Sequence, residues 1–90
     1  MAFVTFTRHL QKFFPGLDVI EIDGDSVADI VRELEKRHPG ISGYLLENTG
    51  ALRKHVNIFV DNTLIRDRSA LSDSVQSSTS IHILQALSGG

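Results

Sequence analysis

The residues whose pattern most clearly suggests chemistry are the last four, Leu87-Ser88-Gly89-Gly90. Two terminal glycines carry no β-carbon, so an extended backbone ending in them can enter a channel too narrow for other residues. The carboxylate of Gly90 is then unhindered. Inside a partner enzyme it can attack the α-phosphate of ATP and become an acyl-adenylate, from which a sulfur nucleophile displaces AMP. The product is a thiocarboxylate, or a thioester if a thiol attacks, formed without any side chain. The sequence contains no cysteine, so sulfur carried by this chain would sit on that terminal carbonyl. From Ser74 to Gly90 there is no Lys, Arg, Asp or Glu, which sets this end apart from the rest.

Other chemistries find little support. Without cysteine, disulfide frameworks, zinc knuckles, iron–sulfur sites and thiol nucleophiles are excluded together. The histidines, His9, His38, His55 and His82, are 17 or more residues apart and form no helical ligand pair, so no metal site is expected. Seven carboxylates crowd between Asp18 and Glu35 with Arg32 as the only base, a pattern that suits a solvated face better than a catalytic pair in a cleft. There is no Gly-x-Ser-x-Gly elbow and no glycine-rich phosphate loop. The formal net charge of -2 lacks the basic excess of a nucleic-acid binder. No apolar run approaches the ~20 residues of a membrane helix, and the first residues do not read as a secretory signal. No membrane partner and a cytoplasmic location are therefore expected.

The elements that must position the tail follow from hydrophobic periodicity. With 90 residues the chain allows one domain, expected over residues 1–84, with 85–90 as a flexible tail. Residues 2–7 read as a strand with Val4 and Phe6 on one face and Phe3 on the other. A polar connection ending in Phe13-Phe14-Pro15-Gly16 leads to a second strand over residues 17–22. Asp25 or Ser26 caps a helix over residues 26–38, whose Val27, Ile30, Val31 and Leu34 form one apolar stripe. Pro39-Gly40 stops it. Residues 41–46 suit a single helical turn. Residues 55–60 alternate, with Val56, Ile58 and Val60 inward and Asn57 and Phe59 outward. Asp61-Asn62 turns the chain into a short strand at 63–65. Leu71 and Val75 anchor a polar stretch, and residues 81–84 form the last strand with Ile81 and Ile83 inward. This order predicts an α+β fold of the β-grasp, ubiquitin-like kind. Its mixed sheet has four to five strands, one main helix packs on one face, and the first and last strands pair in parallel at the centre.

A ubiquitin-like order ending in Leu87-Ser88-Gly89-Gly90 resembles the small sulfur-carrier proteins of the MoaD/ThiS family. The resemblance covers essentially the whole chain. It rests on Asp25-Ser26-Val27-Ala28-Asp29-Ile30, on His55-Val56-Asn57-Ile58-Phe59-Val60-Asp61, and on Ile83-Leu84-Gln85-Ala86 with the tail. The third strand is nearest to the carriers of a cysteine-biosynthesis route. The resemblance implies that Gly90 carries the adenylate and then the thiocarboxylate. Gly89 would allow the close approach, and Leu87 and Ser88 would line the partner's channel. The sheet face away from the helix would dock a ubiquitin-activating-like adenylating enzyme through Phe59 and Leu84, with Arg53 and Lys54 as a basic rim. It also implies a sulfur-accepting synthase as partner, with a sulfurtransferase as a further candidate. No cofactor is expected on the chain itself, since ATP is used by the activating enzyme. The chain would be a protein co-substrate or the small subunit of a synthase rather than an enzyme. Two alternatives stay open: a protein modifier joined to lysine through Gly90, and a noncatalytic ubiquitin-like interaction domain.

Overall fold

Alternating inward Ala2 and Val4 with outward Phe3 and Thr5 makes β1 (Ala2–Phe6) a strand with one buried face. The computed structural model describes residues 2–14 and 16–85. A short helix, α1 (Arg8–Phe13), follows β1 where a polar connection was expected. Leu10, fully buried, holds it against the core. The antiparallel β2 (Ile20–Ile22) pairs with β1, Val4 opposite Ile20 and Ala2 opposite Ile22.

The main helix, α2 (Val27–Arg37), is capped by Ser26, whose hydroxyl accepts from the Asp29 amide. Two more of its unpaired amides, Val27 and Ala28, donate to the carbonyls of Asp73 and Leu71, so the long loop before the last strand finishes this helix end. The stripe Val27, Ile30, Val31 and Leu34 is buried as its spacing predicts. Glycine is required at position 40, where φ is +99°, to turn the chain into α3 (Ile41–Leu45). Glu35 reaches across this turn and accepts from the amides of Gly40 and Ser42 and from the Ser42 hydroxyl. These bonds, the Gly40 amide first, hold its carboxyl below the usual carboxylate range.

β3 (Val56–Val60) turns through Asp61 and Asn62, both at positive φ, into β4 (Thr63–Leu64), and β5 (Ser80–Gln85) closes the sheet. The order is β2-β1-β5-β3-β4, with β5 parallel to β1 and antiparallel to β3. The core lies between the sheet and α2, with Val56, Ile58, Ile81 and Ile83 fully buried beneath the helix stripe. Five strands, the parallel central pair and one main helix match the expected α+β architecture. β5 runs one residue further than the boundary after residue 84, since Gln85 pairs with Val56. Among the described residues, no helix is long and apolar enough to cross a membrane.

Candidate functional site

The sheet face turned away from α2 is built by alternation and register. Because Ile58, Ile81 and Ile83 point inward, Asn57, Phe59, His82 and Leu84 point outward. Cross-strand pairing sets Thr5, His82, Phe59 and Leu64 in one row across β1, β5, β3 and β4, and sets Leu84 opposite Asn57. Phe3, Leu64 and Leu84 are 38%, 45% and 42% exposed. The register spaces them across the face, Phe3 on β1, Leu84 on β5 and Leu64 on β4, with Thr5, His82 and half-buried Phe59 between them.

Phe59 and Leu84 therefore share this face, as the sequence reading expects. Phe59 is half-buried rather than fully outward, because His82 and Leu64 flank it on both neighbouring strands. His82 is held at the centre of the row, its Nδ1 2.5 Å from the Thr5 hydroxyl. His55 is exposed, and His38 is half-buried with the Phe14 ring edge-on to it. Among the described residues, no group of three or more acidic, histidine or cysteine side chains could hold a metal ion.

The expected basic rim is arranged differently. Arg53 turns toward α3, donating to the Gly43 carbonyl at 3.0 Å and pairing with Glu47 at 3.2 Å. Lys54 is exposed in the turn before β3. A further cation at this face is Arg68, which the sequence reading did not single out. Its Nη1 donates to Asn57 Oδ1 at 3.1 Å, and its Nη2 donates to the carbonyls of Arg53 at 2.7 Å and Val56 at 2.9 Å. β4 pairs with β3 at Phe59 and Val60 and the Ile65 amide donates to the Ile58 carbonyl, so Arg68 supplies the donor for Val56, one step further back along β3.

Arg68 is held there by a tightly bonded loop. Asp67 accepts from the amides of Ser69, Ala70 and Ser72 and from the Ser72 hydroxyl. The Ser72 hydroxyl and then the Ala70 amide lower its pKa from 3.8 to about 2. Asp73 accepts from the amides of Arg66 and Asp67, closing the same loop.

Of the crowded carboxylates, Glu21 is paired opposite Phe3 and shares the open face, while Asp23, Asp25, Asp29 and Glu33 lie along α2 and the turn before it. A shallow concavity of about 340 Å³ is lined there by Asp23, Asp25, Asp29, Arg32 and Glu33, among others. Asp29 pairs with Arg32 and accepts from the Asp25 amide, so part of this charge secures the helix start. Gly90, Gly89, Ser88 and Leu87, the residues expected to react and to line a partner's channel, lie outside the described residues.

A sequence model of the ThiS family matches residues 4–90. The sulfur carrier protein CysO of Mycobacterium tuberculosis (strain ATCC 25618 / H37Rv) is 30% identical over 89 residues, covering 97% of this chain and 96% of that protein. A chain in the crystal structure of the Amycolatopsis orientalis BexX/CysO complex superposes with a TM-score of 0.87 at 27% identity, over the full length of both chains. The crystal structure of SAMP1 from Haloferax volcanii superposes at 0.77 with 20% identity, covering 99% of this chain and 98% of that one, a likeness of fold. The architecture is that of the β-grasp, ubiquitin-like proteins.

Proposed function

The chain belongs to the ThiS family and is homologous to sulfur carrier proteins, and on that premise we propose that its C-terminal glycine is the carrying group. The Gly90 carboxylate attacks the α-phosphate of ATP bound by a ubiquitin-activating-like enzyme. The bond between the α- and β-phosphates breaks, and pyrophosphate leaves. A hydrosulfide equivalent then attacks the acyl carbon, the bond to AMP breaks, and a thiocarboxylate remains. The chain is a protein co-substrate here, and ATP belongs to the partner. A synthase that accepts the sulfur completes the cycle, which is expected in the cytoplasm.

The observation that best supports this reading is the placement of β5. It is the central strand, it is the last element before Leu87-Ser88-Gly89-Gly90 in the sequence, and its outward Leu84 is exposed on the open face. A partner docked on that face has the tail in reach. Phe59 and Leu84 supply the apolar contact, while Gly89, Ser88 and Leu87 thread the channel to the nucleotide.

The test is deletion of Gly90. It shortens an extended tail by about 3.3–3.6 Å. A misplacement of ~1 Å can lower a rate about 100-fold, so adenylation should be nearly abolished. Melting temperature should not change, and binding to the activating enzyme should weaken only modestly. Full sulfur transfer by the deletion variant would refute the terminal-carboxyl chemistry. Intact mass of the wild type after incubation with ATP, activating enzyme and sulfur donor separates the alternatives. A carrier gains the difference between sulfur and oxygen, a modifier appears joined to other proteins, and an interaction domain stays unchanged.

A further inference from the structure

Arg68 is half-buried, and its three hydrogen bonds all go to neutral acceptors. Among the described residues, no carboxylate forms an ion pair with it. Acids are not scarce, since the chain has 11 Asp and Glu against 9 Lys and Arg. Asp67 and Asp73, in the same loop as Arg68, accept from backbone amides, and Glu47 pairs with Arg53. A guanidinium drawn partly out of water without a counter-ion is electrostatically costly, and a carboxylate placed beside it recovers that cost.

The geometry is suited to receiving one. A guanidinium has five N–H donors, so about two remain after the three bonds described. The anchored fork has already lost most of its rotamer freedom, which lowers the entropy cost of a further contact. Through Asn57, opposite Leu84, the charge sits at the β3 margin of the open face, at the end where the chain leaves β5.

We infer that Arg68 is a preorganised receptor for an aspartate or glutamate of the adenylating partner, beside the apolar contact made by Leu84 and Phe59. This assignment rests on the carrier reading and adds a charged partner group to it. It makes docking sensitive to salt, as a charge pair at an interface margin should be.

The test titrates the full-length chain and its Arg68→Gln and Arg68→Lys variants against the activating enzyme without ATP, at low and at physiological salt. Arg68→Gln should raise Kd about tenfold or more at low salt, as for a hydrogen-bonded interfacial charge pair, and less at higher salt. Arg68→Lys should recover part of the loss, because it keeps the charge but not the fork. Should Arg68→Gln fail to fold, the side-chain Nε–H resonance of Arg68 in the isotope-labelled wild type gives the same answer. It should move downfield and gain exchange protection in the complex. Wild-type adenylation with equal Kd values and equal salt dependence for Arg68→Gln would overturn the Arg68 assignment alone. So would an unmoved resonance, or a loss of affinity independent of salt, which would leave Arg68 as a strand anchor only. A wild-type chain that is neither bound nor adenylated would overturn the carrier reading and this assignment with it.

Discussion

Leu84 and Ile83 are neighbours on β5, yet truncating them should have opposite consequences. Leu→Ala removes three carbon groups, worth about 2.4 kcal/mol when fully buried, at ~0.8 kcal/mol each. Leu84 keeps 42% of its surface exposed, so folding collects at most about 1.4 kcal/mol of this. About 1 kcal/mol is left for a partner to collect, which corresponds to about a fivefold change in Kd. Ile83 is 0% exposed, and Ile83→Ala should cost ~2–5 kcal/mol of stability. It should leave the affinity of the folded fraction unchanged. Denaturant unfolding measures the first quantity, and calorimetric titration with the activating enzyme measures the second. The reasoning fails if Leu84→Ala binds with wild-type affinity, or if Ile83→Ala weakens binding of protein shown to be folded.

The helix stripe gives a second expectation: Ile30, at 0% exposure, should cost ~2–5 kcal/mol as Ile30→Ala, and a loss under about 0.5 kcal/mol in denaturant melts would contradict its packing. A third concerns acid. Asp67 has a folded-state pKa of about 2 against an ordinary 3.8, so its contribution to stability is present above the ordinary value and fades as pH falls toward the folded one. Glu35, lowered in the same sense, adds to this loss. Asp67→Asn should lower the melting temperature at neutral pH and flatten its decline between about pH 4 and pH 2. Equal slopes for the two proteins would show that the loop bonds do not set the acid limb.

The strands and α2 were legible because their cores follow simple periods. Val56, Ile58, Ile81 and Ile83 alternate, and Val27, Ile30, Val31 and Leu34 recur along one helical face. α1 was not legible: Thr7 gives it no side-chain cap, and among the described side chains Leu10 alone anchors it in the core, while Phe13-Phe14-Pro15-Gly16 signals a turn. Alternation placed Phe59 on the correct face but could not give its exposure, which His82 and Leu64 on neighbouring strands decide. Arg53 and Arg68 show the same limit for charges. Each is fixed by acceptors six to fifteen residues away, in segments whose approach only the tertiary fold creates. The glycines of the proposed chemistry were visible as residue types, because that chemistry needs a chain end rather than a pocket.

The parallel pairing of β1 with β5 makes the timing of synthesis part of the design. Phe3 pairs with Ser80 and Phe6 with Ile83, and β5 is also the strand that joins the β1 side of the sheet to β3. A chain emerging from the ribosome holds β1, β2 and α2 early but lacks the strand between the two halves of its sheet. Contacts of such sequence separation form late, and until they do the apolar surfaces stay open to proteolysis and aggregation. A product that stops before Ser80 has no middle strand and no route to this core. Folding thereby inspects the message: a chain that closes this sheet has been translated through β5, the strand before the residues on which the proposed chemistry depends.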